Sequence, residues 1–313
     1  MHLPRFLVAT LSALPCSALP ALQARESTPS TITPETLASF DFWVQYAAAA
    51  YCEPNYIAQA GQKLACWAGN CPAVEAADTT ILLDFSNATI TDTAGFLAVD
   101  HTHSSLILAF RGSYSVRNWV TDATFLYTDP QLCPGCFAEL GFWSAWTNVR
   151  ANITAALTRA REQYPTYSLQ VVGHSLGAAI ATLAAADLRA TAGETVELYA
   201  FASPRVANPV LAQYITAQAT QQQKGANYRF THTVDPVPNL PLLAMGYSHV
   251  SPEYHITAPD NSTVVASQVV VYSDGDYVRG NTGVGVPDLL RFDAHHWYFE
   301  RADACIESGL PWR

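Results

Sequence analysis

Three side chains in this 313-residue chain have the types and the order that acyl transfer requires. Ser175 sits at the centre of GHSLG, with Gly173 and Gly177 two places to either side. A serine hydroxyl is a weak nucleophile, so it needs a base to accept its proton and an acid to orient that base. Where a strand turns into a helix around the serine, the chain order is serine, acid, histidine. Asp235 ends the run YRFTHTV and precedes PVPNLP, whose prolines stop strand and helix alike and leave the carboxylate at a strand's carboxyl end. His295 and His296 come next, in DAHHWYF. Asp274, Asp276 and Asp288 lie in polar, glycine-bearing sequence of the kind that forms turns. His174 is next to Ser175 in the chain, so its side chain diverges from it; a packed or hydrogen-bonded neighbour is expected there.

The elements that must position these groups can be read from hydrophobic period. Ser168 to Val172 is an apolar run that reads as a strand, and Leu176 to Ala190 has helical period, which places GHSLG at their junction. In so tight a turn a β-carbon at Gly173 or Gly177 would obstruct the turn or the helix packing. The Leu176 amide at the helix N-terminus would face an oxygen bound beside Ser175 and stabilise negative charge on it. Further strands are expected at Thr79 to Phe85, Gly95 to Val99, Leu106 to Phe110, Val196 to Ala202 and Tyr228 to Val234. Helices are expected at Glu35 to Tyr51, Phe142 to Tyr164 and Val210 to Thr220. Leu106 to Phe110 is so continuously apolar that both of its faces should be buried. Strands alternating with helices imply the α/β class, with a mostly parallel sheet covered on both faces and chemistry gathered at the carboxyl ends of its strands.

Half of the residues are hydrophobic and 13% are charged, which suits a large core; the net charge of −10 leaves no basic cluster for nucleic acid. Residues 1–24 carry one basic residue, Arg5, then an apolar stretch and small residues, and read as a secretory signal peptide; 25–30 are read as a short propeptide or lead-in, and 31–313 as one domain. No later segment is apolar enough to span a membrane. Cleavage would remove Cys16 and leave an even set of cysteines, as an oxidising compartment favours. Cys66 and Cys71 enclose WAGN and Cys133 and Cys136 enclose Pro-Gly, both reading as local staples, which leaves Cys52 with Cys305. Sequons at Asn87, Asn152 and Asn261 agree with secretion. His101 and His103 have no third partner in sequence that would make a metal site, and neither metal nor cofactor is expected.

Taken in order, YCEPN, CWAGNCPAVEAAD, FRGSYSVRNWVTD, GHSLGA, SPRVAN, THTVDPVPNLP, GYSHVSPEY and AHHWYF resemble the filamentous-fungal class 3 triacylglycerol lipases over roughly Phe40 to Cys305. The resemblance implies an α/β-hydrolase fold with Ser175, Asp235 and His295 as the triad. His295 is preferred to His296 because the family's histidine follows the residue matching Ala294; the doubled histidine departs from the family pattern. The resemblance further implies Ser113 and Leu176 as oxyanion donors and supports the same three cysteine pairings. Val116, Trp119 and Val120, spaced for one face of a short helix, match the family's mobile lid. It implies a secreted, monomeric serine lipase acting on triacylglycerol at an oil–water interface. A feruloyl-esterase-like or phospholipase-like member is the alternative within enzymes, and a non-catalytic hydrolase-fold binding protein the alternative outside them.

Overall fold

The computed structural model describes residues 30–86, 91–115, 125–273, 280–281 and 292–306. Its centre is a nine-stranded sheet. The sheet strands are β1 (Ser30–Thr31), β2 (Thr79–Ser86), β3 (Ala94–Asp100) and β4 (Ser105–Phe110), then β7 (Ser168–His174), β8 (Val196–Phe201), β9 (Gly225–His232), β10 (Glu253–Ile256) and β11 (Val269–Tyr272). A small ribbon, β5 (Tyr127–Thr128) with β6 (Ala138–Glu139), and a C-terminal hairpin, β12 (Trp297–Tyr298) with β13 (Glu300–Arg301), lie apart from it. Four long helices cover it: α1 (Pro34–Ala49), α2 (Leu140–Gln163), α3 (Leu176–Asp187) and α4 (Pro209–Thr220). The spatial order is β1-β11-β10-β9-β8-β7-β4-β3-β2. From β4 to β10 the pairings are parallel, and both edges are antiparallel, so the sheet is mixed with a parallel heart.

Strand alternation sorts the core into two faces. Ile107, Ala109, Val172, Tyr199 and Phe201 pack toward Phe40, Trp43 and Tyr46 of α1, whereas Leu106, Leu108, Val171 and Leu198 pack toward Trp146 and Ile153 of α2 and Ile180 of α3. Every residue of β3 and β4 is buried, because helices lie over both faces at this point. Helix starts follow local chemistry. Thr33 caps α1 by accepting from the Thr36 amide at 3.2 Å, with Pro34 at the first helical position, and Asn208 caps α4 through the Leu211 amide at 3.0 Å. Strands β1, β10 and β11 are too short for period to be counted: β1 has two residues, and the alternation of Glu253–Ile256 covers only four.

Disulfides join Cys52 to Cys305, Cys66 to Cys71 and Cys133 to Cys136. The first closes a loop of 253 residues, which in the chain-entropy model stabilises by about 5 kcal/mol. Asn152 lies exposed on α2 and Asn261 exposed in a turn, whereas Asn87 and the segment 1–29 lie outside the described residues.

Gly177 shows what the sheet demands of α3. A β-carbon there would collide with the Phe110 carbonyl and stand 2.8 Å from the Arg111 carbonyl carbon, so it would wedge α3 off β4. At Gly193, by contrast, φ is +69° but nothing lies within 4 Å. Gly177→Ala is therefore expected to lower stability by about 3 kcal/mol or more and Gly193→Ala by about 1 kcal/mol, measured by urea unfolding.

Candidate active site

Strand β7 ends at His174, and the next residue adopts φ 59° and ψ −128° before α3 begins. This region is disfavoured for a residue with a side chain, by about 1–3 kcal/mol, and is tolerated only when the surroundings over-determine it. Here they do. The Ser175 amide donates to the Phe201 carbonyl of β8 at 2.9 Å, and the Ser175 carbonyl accepts from Ala178 and Ala179 at 3.0 and 3.2 Å. A β-carbon at Gly173 would run into the Gly177 carbonyl and the Ala178 nitrogen, so strand and helix approach closely only because both glycines lack one. The turn thrusts Ser175 Oγ toward the C-terminal segment.

His295 meets it there. Its Nε2 lies 2.9 Å from Ser175 Oγ, and its Nδ1 lies 2.9 and 3.0 Å from the two Asp235 oxygens. A carboxylate can only accept, so the proton resides on Nδ1 and the lone pair of Nε2 faces the hydroxyl. All three side chains are buried. Burial alone would raise the Asp235 carboxyl, but His295, the Tyr298 hydroxyl at 2.6 Å and the Val237 amide at 2.9 Å outweigh it and hold the group below its ordinary value. The stabilisation this gives is complete above the ordinary carboxylate range and is lost as pH falls through the lowered value.

The imidazole is aimed by its backbone. Three consecutive carbonyls are each held: Ala294 by His232 Nδ1 at 2.9 Å, His295 by His174 Nε2 at 2.8 Å, and His296 by the Ala302 amide at 3.1 Å. Since His174 Nε2 donates to a carbonyl, its Nδ1 accepts from the Tyr51 hydroxyl at 2.8 Å. Burial and the neighbouring His295 push the His174 ring down to about 3, so it stays a neutral bridge. The loop after Asp235 is braced too. Buried Arg205, from SPRVAN, donates to the carbonyls of Asn239 and Pro241, its amide donates to Leu240, and Asn281 donates to the Asp235 carbonyl at 2.9 Å.

The fold thus gathers Ser175, Asp235 and His295 in one line, and it places His296 elsewhere, on Asp303 at 2.6 Å. His101 and His103 go to Tyr167 and Asp100 at the opposite, amino-terminal side of β4. Leu176 opens α3, where first-turn amides lack intrahelical partners. Ser113 follows Gly112, whose α-carbon lies too close to the Tyr51 hydroxyl and the His174 carbonyl to admit a β-carbon; this brings the 111–114 segment beside the serine turn. Arg111 pins that segment through the Tyr114 hydroxyl and Asp92. Val116, Trp119 and Val120 lie outside the described residues, as do Asp274, Asp276 and Asp288. Sequence reasoning missed Tyr298, Tyr51 and His232. For Tyr298 a signal existed, three residues beyond His295 in AHHWYF; Tyr51 and His232 are joined to the site only by tertiary contact.

Tyr298→Phe removes a hydrogen bond to a buried carboxylate without opening a cavity. It is expected to lower kcat about tenfold with little change in KM and to raise the pH at which acid unfolding sets in, followed by ester hydrolysis and by circular dichroism across pH.

Known proteins resemble this chain in sequence and in fold. The family model Lipase (class 3) matches residues 107–245 and the model Lipase 3 N-terminal region matches 8–83. The chain is 58% identical over 298 residues to secreted mono- and diacylglycerol lipase A of Penicillium cyclopium, covering 95% of this chain and 94% of that one. It is 39% identical to secreted mono- and diacylglycerol lipase 1 of Fusarium solani, over 90% of this chain and 82% of that one. The crystal structure of a mono- and diacylglycerol lipase from Aspergillus oryzae superposes with a TM-score of 0.82 at 60% identity, over 86% of this chain and 98% of the other. The polypeptide is a secreted protein of α/β-hydrolase fold, a carboxylic ester hydrolase, and it belongs to the class 3 lipase family.

Proposed function

We propose that this lipase cleaves mono- and diacylglycerols through an acyl-enzyme on Ser175. The observation that carries the mechanism is the unbroken hydrogen-bonded line from Ser175 through His295 to Asp235. Ser175 Oγ attacks the ester carbonyl as His295 Nε2 takes its proton, and the negative charge on the carbonyl oxygen is met by the Leu176 amide and by Ser113. The imidazolium then gives the proton to the departing glycerol oxygen. Water enters by the same route in reverse and frees the fatty acid. Asp235 stays charged throughout and stabilises the imidazolium.

The lipid part of the reading is supported by the surface beside the site. From Pro236 to Pro252, the stretch that begins next to Asp235, the chain carries no Asp, Glu, Lys or Arg. Leu242, Leu243 and Met245 of that stretch are 38% to 45% exposed. Tyr127 stacks on Tyr247 at 4.4 Å and lies near Phe137, which extends the apolar rim across the β5–β6 ribbon. Contiguous exposed apolar side chains of this kind suit contact with lipid rather than water. Partial glycerides are favoured over triacylglycerol because the relatives at 58% and 39% identity bear that name. The triacylglycerol expectation rests on the wider family resemblance alone, and it stands as the second reading.

Emulsified monoolein, diolein and triolein, together with phosphatidylcholine and methyl ferulate, separate these readings. Release of oleate from monoolein or diolein at least about tenfold faster than from triolein is expected, with loss of about a thousandfold or more in Ser175→Ala. Triolein cleaved as fast as diolein would restore the triacylglycerol reading, preference for phosphatidylcholine or methyl ferulate would transfer the chain to the phospholipase-like or feruloyl-esterase-like readings, and an active Ser175→Ala protein would overturn the mechanism.

A further inference from the structure

The second histidine of the doublet has an acid of its own. His296 Nδ1 lies 2.6 Å from Asp303 Oδ2, and Arg301 Nε lies 3.3 Å from the other oxygen of the same carboxylate. The rings of His295 and His296 are 6.0 Å apart. Asp303 is buried and His296 partly so, which makes this a shielded ion pair rather than a surface one. Burial opposes charge on both groups, and each overcomes it through the other: the Asp303 carboxylate holds the His296 imidazole above its ordinary value, and His296 draws Asp303 down to about 2.

We propose that His296 and Asp303 form a positioning pair that fixes the turn bearing His295 and balances the charge around it. The inference rests on the reading of His295 as the general base. Geometry supplies the first half. The pair ties the residue after His295 to the segment that also holds its backbone, because the Ala302 amide donates to the His296 carbonyl at 3.1 Å one residue before Asp303. Electrostatics supplies the second. The charged groups acting on His296 are Asp303, Arg301 and Asp235, with the His295 ring beside it, and Asp303 in turn acts on His174 and Tyr51. With the pair intact, the imidazolium and the carboxylate nearly cancel as seen from His295. Arg301 is half exposed and compensates Asp303 only in part.

Removing His296 alone therefore leaves a charge of definite sign beside the base. In His296→Gln the uncompensated Asp303 carboxylate favours the protonated, inactive form of His295, so the acid limb of kcat/KM should move up by about half a unit to one unit. In Asp303→Asn the imidazole loses the carboxylate that kept it charged, burial and Arg301 drive it neutral, and both charges of the pair vanish together, so the limb should stay close to the wild-type position. The double variant His296→Gln/Asp303→Asn should return it close to the wild-type position.

The test is the pH profile of kcat/KM on soluble p-nitrophenyl butyrate for the four proteins, below the substrate's solubility limit so that lipid adsorption plays no part. An upward shift in His296→Gln, with the wild-type midpoint kept in Asp303→Asn and restored in the double variant, supports the pair. A His296→Gln profile that keeps the wild-type midpoint, with only the melting temperature lowered, would overturn it. Should His296→Gln fail to fold, His296→Asn decides by itself: an upward shift supports the proposal, and an unmoved or lowered midpoint contradicts it. A His295→Ala variant that keeps wild-type activity on this ester would instead sink the reading of His295 as base.

Discussion

One residue in a disfavoured backbone conformation governs the arrangement of this molecule. Ser175 can hold φ 59° and ψ −128° only if strand β7 stops, helix α3 starts at once, and the two approach within the space that Gly173 and Gly177 leave open. Gly177 in turn lies against the end of β4, so the turn is seated on two parallel strands and not merely hung from one. The amide of Ser175 is tied to a third, β8. The strain is thus borne by the best-buried part of the sheet, where local unfolding is most costly.

The base comes from the other end of the chain and has no such scaffold of its own. Only a single helical turn, Asp293–His296, and a short hairpin carry it. What replaces secondary structure is a set of side-chain and backbone donors on successive carbonyls, with Tyr298 and the Cys52–Cys305 disulfide fixing the hairpin on either side. A helix or strand would have filled those carbonyls with its own amides. Here each is filled by a different element, so the position of His295 depends on β7, β9 and the C-terminal segment together.

Much of this was legible in the sequence, for reasons that can be named. The strand, turn and helix around Ser175 declare themselves through a change of hydrophobic period, and the prolines after Asp235 mark the end of β9. The requirement that serine precede acid and acid precede histidine singles out Asp235 and the histidine doublet, and the two long-range partners hydrogen-bonded in line with Ser175, Asp235 and His295, stand in that order. What escaped was anything set by tertiary contact between polar groups. Tyr51 reads as the apolar end of a helix, Arg205 only as one residue of SPRVAN and His232 as one polar residue in a strand, yet all three are buried because each finds carbonyls or a ring nitrogen to satisfy it. The edge strands escaped for a different reason: they are too short for period to be counted.

The central claim is that the strained turn presents Ser175 to His295 as the nucleophile, and a reactive phosphonate ester tests it without reference to any substrate class. The protein in detergent micelles is treated with a p-nitrophenyl phosphonate and examined by intact mass and peptide mapping. One adduct per chain on the peptide containing Ser175, absent from Ser175→Ala and strongly slowed in His295→Ala, is the result this account requires. An adduct on a different residue, or labelling of Ser175 at an unchanged rate in His295→Ala, would contradict it.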